Sequence, residues 1–271
     1  MSYQNVNQWV DFETGLGIKS TMLYTTNPYD TGYIAPMYTA SGLEDIQYAL
    51  DHGTDIGDHS FGHFPDFAAA PYGTGSETAS NYLPEFVPSP PDSETCCTTG
   101  MTVIGELGVS KWLLENDFGG PVTGFRSGYL DAPAQFLQGL SATGYQRDST
   151  YALGLTRGSF PFVAFDVNSG VVTTHPIMEY PLAISEDHVP ALDPTTYSQY
   201  LSDWETVIKA NYANNAPTIL LIHPIDTGIR FQILQQLLTD LQNQGLDLWV
   251  GDWKTFAEFW EAQGVTNARW P

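Results

Sequence analysis

Two of the chain's 6 histidines stand four apart in Asp58-His59-Ser60-Phe61-Gly62-His63. On one helical turn such a pair faces one way and can grip a single metal ion. Two ordinary polar or half-buried histidines also account for the spacing. Leu220-Leu221-Ile222-His223-Pro224 sets another histidine at the end of an apolar strand, the end at which barrels carry their chemistry. The other reading is a histidine that satisfies a backbone group at the strand exit. In Gly124-Phe125-Arg126-Ser127-Gly128-Tyr129 an arginine follows a strand, in a chain with only 9 Lys and Arg. Arg126 either makes an ion pair on the rim or holds a catalytic carboxylate in its charged form. Asp148, in Gly144-Tyr145-Gln146-Arg147-Asp148-Ser149, either caps a turn or orients and charge-tunes a histidine.

The elements that must position these residues alternate between helix and strand, the mark of an α/β fold. Helices are expected over 6–14, after a Ser41 cap, over 98–116, 133–140, 197–212, 231–241 and 253–260. Strands are expected over 18–24, 54–57, 122–125, 144–146, 218–222 and 246–250, with β-like alternation through 151–181. The strand over 218–222 reads as buried. Residues 64–92 are rich in Pro, Gly, Ser and Ala and read as a long loop, a length that points to function. No internal repeat and no linker divides the chain, so one domain over 1–271 is expected, and the strand-then-helix period favours a parallel barrel.

Composition narrows the partners. Asp and Glu number 31 against 9 Lys and Arg, a formal net charge of −22. Such a surface repels phosphate backbones and anionic lipids, which excludes nucleic-acid and membrane-surface binding as expectations. No apolar run is long enough to span a bilayer. The only cysteines, Cys96 and Cys97, are adjacent, so no disulfide framework is expected.

In order and spacing these segments resemble the polysaccharide deacetylase family of metal-dependent carbohydrate esterases. Residues 51–63 are similar to the family's G-x-E-I-G-N-H-S/T-x-x-H segment. Phe125-Arg126-Ser127-Gly128-Tyr129 resembles F-R-x-P-Y, and Gly144-Tyr145 with Asp148-Ser149 resembles G-Y-x-x-D-S. Leu221-Ile222-His223-Pro224 resembles L-x-H, and residues 18–24 resemble the K-A-T-F-F strand. The resemblance implies a distorted (β/α) barrel of about seven strands, below the regular eight. It implies a divalent metal on His59 and His63, zinc first, with cobalt or nickel as alternatives. His223 would be the general acid, Asp148 its partner, and Arg126 would orient the general base. Tyr129 would bind substrate in the cleft, and Leu221 would line the pocket for an acetyl methyl. The implied reaction removes N- or O-acetyl groups from a carbohydrate. An amide hydrolase of the same fold acting on a small molecule is the alternative.

The sequence departs from the family at several points. The family opens with a strand ending in T-F-D-D-G, which supplies a metal ligand and the general base. Residues 5–17 match the family's first helix, so a barrel lacking or altering its first strand is expected, with both aspartates falling before Met1. Asp11 lies too close to the next strand to stand for that motif. Three readings stay open. In the first, the sequence starts at an internal Met of a longer, extracellular or periplasmic protein; otherwise the chain is cytoplasmic. In the second, the barrel is catalytically impaired and only binds carbohydrate, with Tyr72, Tyr82 and Phe86 as a stacking wall or as pins for their loop. In the third, Asp58 or Asp66 replaces the missing base. Asp58 also replaces the usual Asn, Ser127-Gly128 replaces the residue pair ending in Pro, and no Trp follows Asp148-Ser149. Open strand edges would lead to a homodimer or a distorted barrel.

Overall fold

The computed structural model describes residues 5–28, 36–87, 97–154, 160–186, 191–224 and 227–263. Cys96 and the end of the long loop lie outside them. Helix α1 (Val6–Leu16) buries Val6, Trp9 and Val10 and runs through Gly15 to end at Gly17, which takes the left-handed φ of 69° that closes a helix without steric cost. Strand β1 (Thr21–Tyr24) follows. Helix α2 (Ala40–Asp51) is capped by Thr39, whose side chain accepts from Gly42 N, and not by Ser41. It leads into β2 (Asp55–Asp58).

The long loop holds structure of its own: a 3₁₀ turn, Phe67–Ala69, and an antiparallel pair, β3 (Glu85–Val87) and β4 (Cys97–Thr99). The helix expected over 98–116 starts later, as a π turn, Gly105–Val109, that runs into α3 (Ser110–Phe118). Then come β5 (Gly124–Phe125), α4 (Phe136–Ala142) and β6 (Arg147–Asp148). A long hairpin, β7 (Phe162–Asn168) and β8 (Val171–Glu179), precedes β9 (Ile184–Ser185). The chain finishes with α5 (Tyr197–Ala213), β10 (Leu220–Leu221), α6 (Ile229–Asn243) and α7 (Trp253–Ala262), the last capped by the Asp252 side chain.

The main sheet has the order β1-β2-β5-β6-β8-β7, parallel except for the β7–β8 hairpin. Just past β8 the chain continues the curve. Leu182 exchanges backbone hydrogen bonds with residues 151 and 153, while Ala183 N donates to Ile219 O, and β9 pairs in parallel with β10. A curved, mostly parallel α/β sheet is therefore present, but among the described residues the ladder does not close into a barrel.

The opening lies between β10 and β1. Residues 246–250 keep strand-like alternation, with Leu246 and Leu248 half-buried beside Leu220 and Ile222 and with Asp247 and Trp249 exposed. They form no ladder, so the last expected strand is absent as such. Trp253 N reaches β1 through Thr21 Oγ1 at 2.8 Å. A groove of about 410 Å³ runs along this seam, walled by Leu23, Leu220, Ile222 and Leu248, with Arg126 and Ser149 also lining it. The groove explains why residues 218–222, expected to be buried, are only half-buried.

Two large clusters hold most of the core, beside two small ones around Phe61 and Tyr180. One packs α1, α2 and α4 on the sheet through Val10, Ile46, Leu107, Phe125 and Leu140. The other locks α5 and α6 under β9 and β10 through Trp204, Ile233, Leu237 and Leu241. No helix among the described residues is long and apolar enough to cross a membrane. Trp204 is fully buried, and Trp204→Ala is expected to lower unfolding free energy by about 3–5 kcal/mol, measured by urea titration.

Candidate active site

The residues singled out above lie at or just beyond the carboxyl ends of β2, β5, β6 and β10, the side of a parallel sheet where substrates bind. His59 follows β2. Its N–H donates to Tyr24 O at 2.9 Å, and its Nδ1 lies 2.6 Å from the Arg126 carbonyl. A carbonyl only accepts, so Nδ1 carries the proton and Nε2 keeps the lone pair. His63 does not reach its partner through a helical turn. Ser60 and His63 take left-handed φ values of 72° and 50°, and this tight loop sets the two rings 4.8 Å apart.

The ring of His63 rests on the backbone of Gly128: a Cβ there would lie 2.9 Å from His63 Cδ2. Gly128, where the family pattern has Pro, is thus required by close approach. Burial, with mutual repulsion for His59, holds both imidazoles well below the usual histidine range, His63 at about 4. Both are neutral and can donate lone pairs. Nδ1 of His63 is buried without a hydrogen bond, an orphan of the kind that a metal ion or bound water answers. Two neutral imidazoles fit zinc, cobalt or nickel. Among the described residues no third His, Cys, Asp or Glu joins them.

A cleft of about 550 Å³ brings together His59, His63, Tyr129, Leu221 and His223. Tyr129 is about half exposed and its ring lies 4.9 Å from that of His63. Tyr129 and Leu130 have consecutive left-handed φ values of 56° and 59°. Such non-glycine residues cost on the order of 1–3 kcal/mol each and persist only where the surroundings hold them. Here Ser127 Oγ bonds the Asp131 carbonyl, and Leu130 N donates to Ser127 O.

Arg126 and Asp148 lie beside this cleft and do not line it. Arg126 is buried; its guanidinium donates to Ser149 O at 3.0 Å and Ser149 Oγ at 2.8 Å. No carboxylate of a described residue is within ion-pair distance of it, and burial lowers it to about 10. Asp148 accepts from Thr150 Oγ1 at 2.7 Å and faces Glu179. Burial first, and mutual repulsion for Glu179, raise both carboxyls. Asp148 Oδ2 and Glu179 Oε2 are both buried without a hydrogen-bond donor among the described residues.

Asp148 is therefore not the partner of His223. That partner is Glu186, just past β9: its Oε1 accepts from both the backbone N and Nδ1 of His223, each at 2.7 Å. Its Oε2 takes the guanidinium of Arg230, from the start of α6. Sequence reasoning missed Glu186 because β9 is only two residues long. The available signal was a carboxylate just after an apolar strand-like run, Pro181-Leu182-Ala183-Ile184.

The substitute bases fail on geometry. Asp58 is fully buried and committed to Ser60 N at 2.9 Å, Ser110 Oγ at 2.7 Å and Tyr145 OH at 2.5 Å. Asp66 accepts from Thr98 N at 2.7 Å and Thr98 Oγ1 at 2.6 Å. Neither lines the cleft. The stacking wall fails as well. Tyr82 is buried, and Tyr72 and Phe86 pack against the core, so these aromatics pin their loop.

No protein-family model and no curated protein sequence matches the chain. Solved structures do. One described as a polysaccharide deacetylase from Mycobacterium smegmatis superimposes with a TM-score of 0.65 at 16% identity, over 98% of this chain and 81% of that one. The chitin deacetylase of the fungal pathogen Colletotrichum lindemuthianum gives 0.55 at 13% identity, over 92% and 79%. A CE4-family pseudoenzyme from Bacillus anthracis gives 0.50 at 9% identity, over 93% and 60%. The chain has the polysaccharide deacetylase fold.

Burial raises Glu13, Asp58 and Glu106 from ordinary carboxyl values to about 7. The folded state thus keeps protons that the unfolded chain has lost above pH ~4.5. Their contribution to stability is complete below the unfolded values and is lost as pH rises through 7. The downward-shifted Glu77, Asp193 and Glu205 titrate below this window. The depressed His59 and His63 oppose the trend only up to their unfolded value of 6.5 and are outnumbered by the raised carboxyls. The melting temperature is expected to fall from pH 5 to pH 8 in calorimetry, and Glu13→Gln to flatten that slope.

Proposed function

We infer that the chain is a metal-dependent hydrolase that removes acetyl groups from a carbohydrate. The observation that carries this is the convergence of His59, His63 and His223 on one cleft in this fold. His59 and His63 would hold the ion, zinc first, with cobalt or nickel as alternatives. When bound, a divalent ion supplies carbonyl polarisation and makes water a nucleophile at neutral pH.

The chain's own residues do the rest. The Arg126 carbonyl fixes the tautomer of His59, as outer-shell acceptors do for metal-bound histidines. Leu221 gives the acetyl methyl an apolar wall, and Tyr129 borders the sugar. Glu186 orients His223 through Nδ1, so proton transfer to the leaving nitrogen or oxygen falls to Nε2. The third ligand and the general base would be the two aspartates that the resemblance assigns to a first strand. Such a strand would pair along the open groove beside β1, which Arg126 also lines. The family's amide hydrolases share this chemistry, and acetate release from sugar rather than from small amides separates the two.

One observation favours a second reading, a barrel that binds carbohydrate without hydrolysing it: among the described residues no carboxylate lines the cleft. The two readings separate on acetylated chito-oligosaccharides. A hydrolase releases acetate, and a binder gives calorimetric heats with no acetate. Zinc uptake is expected in the wild type and lost in His63→Ala, by elemental analysis. His223→Ala is expected to keep its zinc and to lose about 10²–10⁴ in rate on the acetylated sugar. An aryl acetate, whose leaving group needs no proton, should be nearly spared.

A further inference from the structure

The loop that joins the two histidines belongs to no ladder, and its peptide groups are held one by one. Ser60 N donates to Asp58 Oδ1 at 2.9 Å, and His63 N to Ser60 Oγ at 3.0 Å. The two between them end on a single residue: Phe61 N donates to Glu106 O at 3.1 Å, and Gly62 N to Glu106 Oε2 at 2.7 Å. Glu106 is 1% exposed and sits in the π turn Gly105–Val109. Single π turns inside helices recur at functional sites, where the irregular turn re-aims side chains.

The carboxylate is braced from the other side. Tyr82 OH donates to Glu106 Oε1 at 2.7 Å, and the Tyr82 ring meets Phe61 edge-on at 5.4 Å. Two glycines make this approach possible. A Cβ on Gly62 would lie 1.8 Å from the Phe64 ring, and one on Gly105 would lie 2.0 Å from the Tyr82 ring. Tyr82 belongs to the long Pro- and Gly-rich loop, so that loop reaches the histidine pair through one buried acid.

We propose that Glu106, braced by Tyr82, is the positioning residue that fixes His63 for its partner His59. Without the carboxylate, Gly62 N–H is left unpaired in a buried setting, and an unmade hydrogen bond there is costly. The loop then relieves its left-handed turns at Ser60 and His63, and the His63 ring leaves its seat on Gly128. The consequence for metal affinity rests on the metal role proposed above. The consequence for ring position does not.

The test uses the full chain with Glu106→Ala, Glu106→Gln and Tyr82→Phe. Zinc affinity is read by calorimetry, and the histidine ring nitrogens by NMR of metal-free protein labelled with ¹⁵N-histidine. Loss of an outer-shell partner of a metal ligand typically weakens binding about 10–100-fold, and that loss is expected in Glu106→Ala. Glu106→Gln should keep most of the affinity, because its amide oxygen still accepts from Gly62 N and its NH₂ can donate to Tyr82. Tyr82→Phe, which keeps the carboxylate and the ring, carries the same test in milder form and should fall between them. In the metal-free protein, Glu106→Ala and Tyr82→Phe should move the His63 ring signals. Those of His175, on the β7–β8 hairpin, should stay. Wild-type zinc affinity in a folded Glu106→Ala chain would overturn the proposal. If the wild type takes up no zinc, the metal reading fails, and unmoved His63 signals in both variants would overturn the positioning role separately.

Discussion

Backbone N–H groups in a buried turn must find acceptors, and at this cleft carboxylates without access to water supply them. The turn between His59 and His63 depends on Asp58 and Glu106. The same setting acts with opposite signs on the two kinds of group. Removing water raises Asp58 and Glu106 and lowers both imidazoles. A carboxyl that is partly protonated costs less to bury, and an imidazole that stays neutral keeps its lone pair. One low-polarity environment thus holds the loop and prepares its histidines.

The second constraint is the seam between β10 and β1. A buried guanidinium is expensive unless it is paired, and among the described residues Arg126 has only the two oxygens of Ser149 as partners. Asp148 and Glu179 attract it but do not come within ion-pair distance. The seam therefore combines an apolar wall, an unladdered segment at 246–250 and a buried guanidinium bonded to Ser149.

The sequence was most legible where residue type and period agree. The helices expected over 197–212 and 231–241 form as α5 and α6, within two residues at each end, and the strand-end motifs at His223 and Arg126 lie where their hydrophobic runs end. The departures have local causes. His59 and His63 converge through left-handed residues that are not glycine, so spacing suggested a helix where a loop does the work. The 246–250 alternation is present, but a strand also needs a neighbour, and a sequence does not display its neighbours. Glu186 was illegible because a two-residue strand has no period. Asp148 looked like the partner of His223 because the resemblance assigned that role to its motif. The acid that stands there instead comes from the parallel neighbour of the histidine's own strand.

Gly128 and His63 belong to different loops, yet the absence of a side chain on one makes room for the ring of the other. Their identities form a single choice. With this turn, a side chain at position 128 would displace the His63 ring. Grafting either loop alone into a related barrel would bring its motif without its geometry. For engineering, the exchangeable unit is the pair of loops.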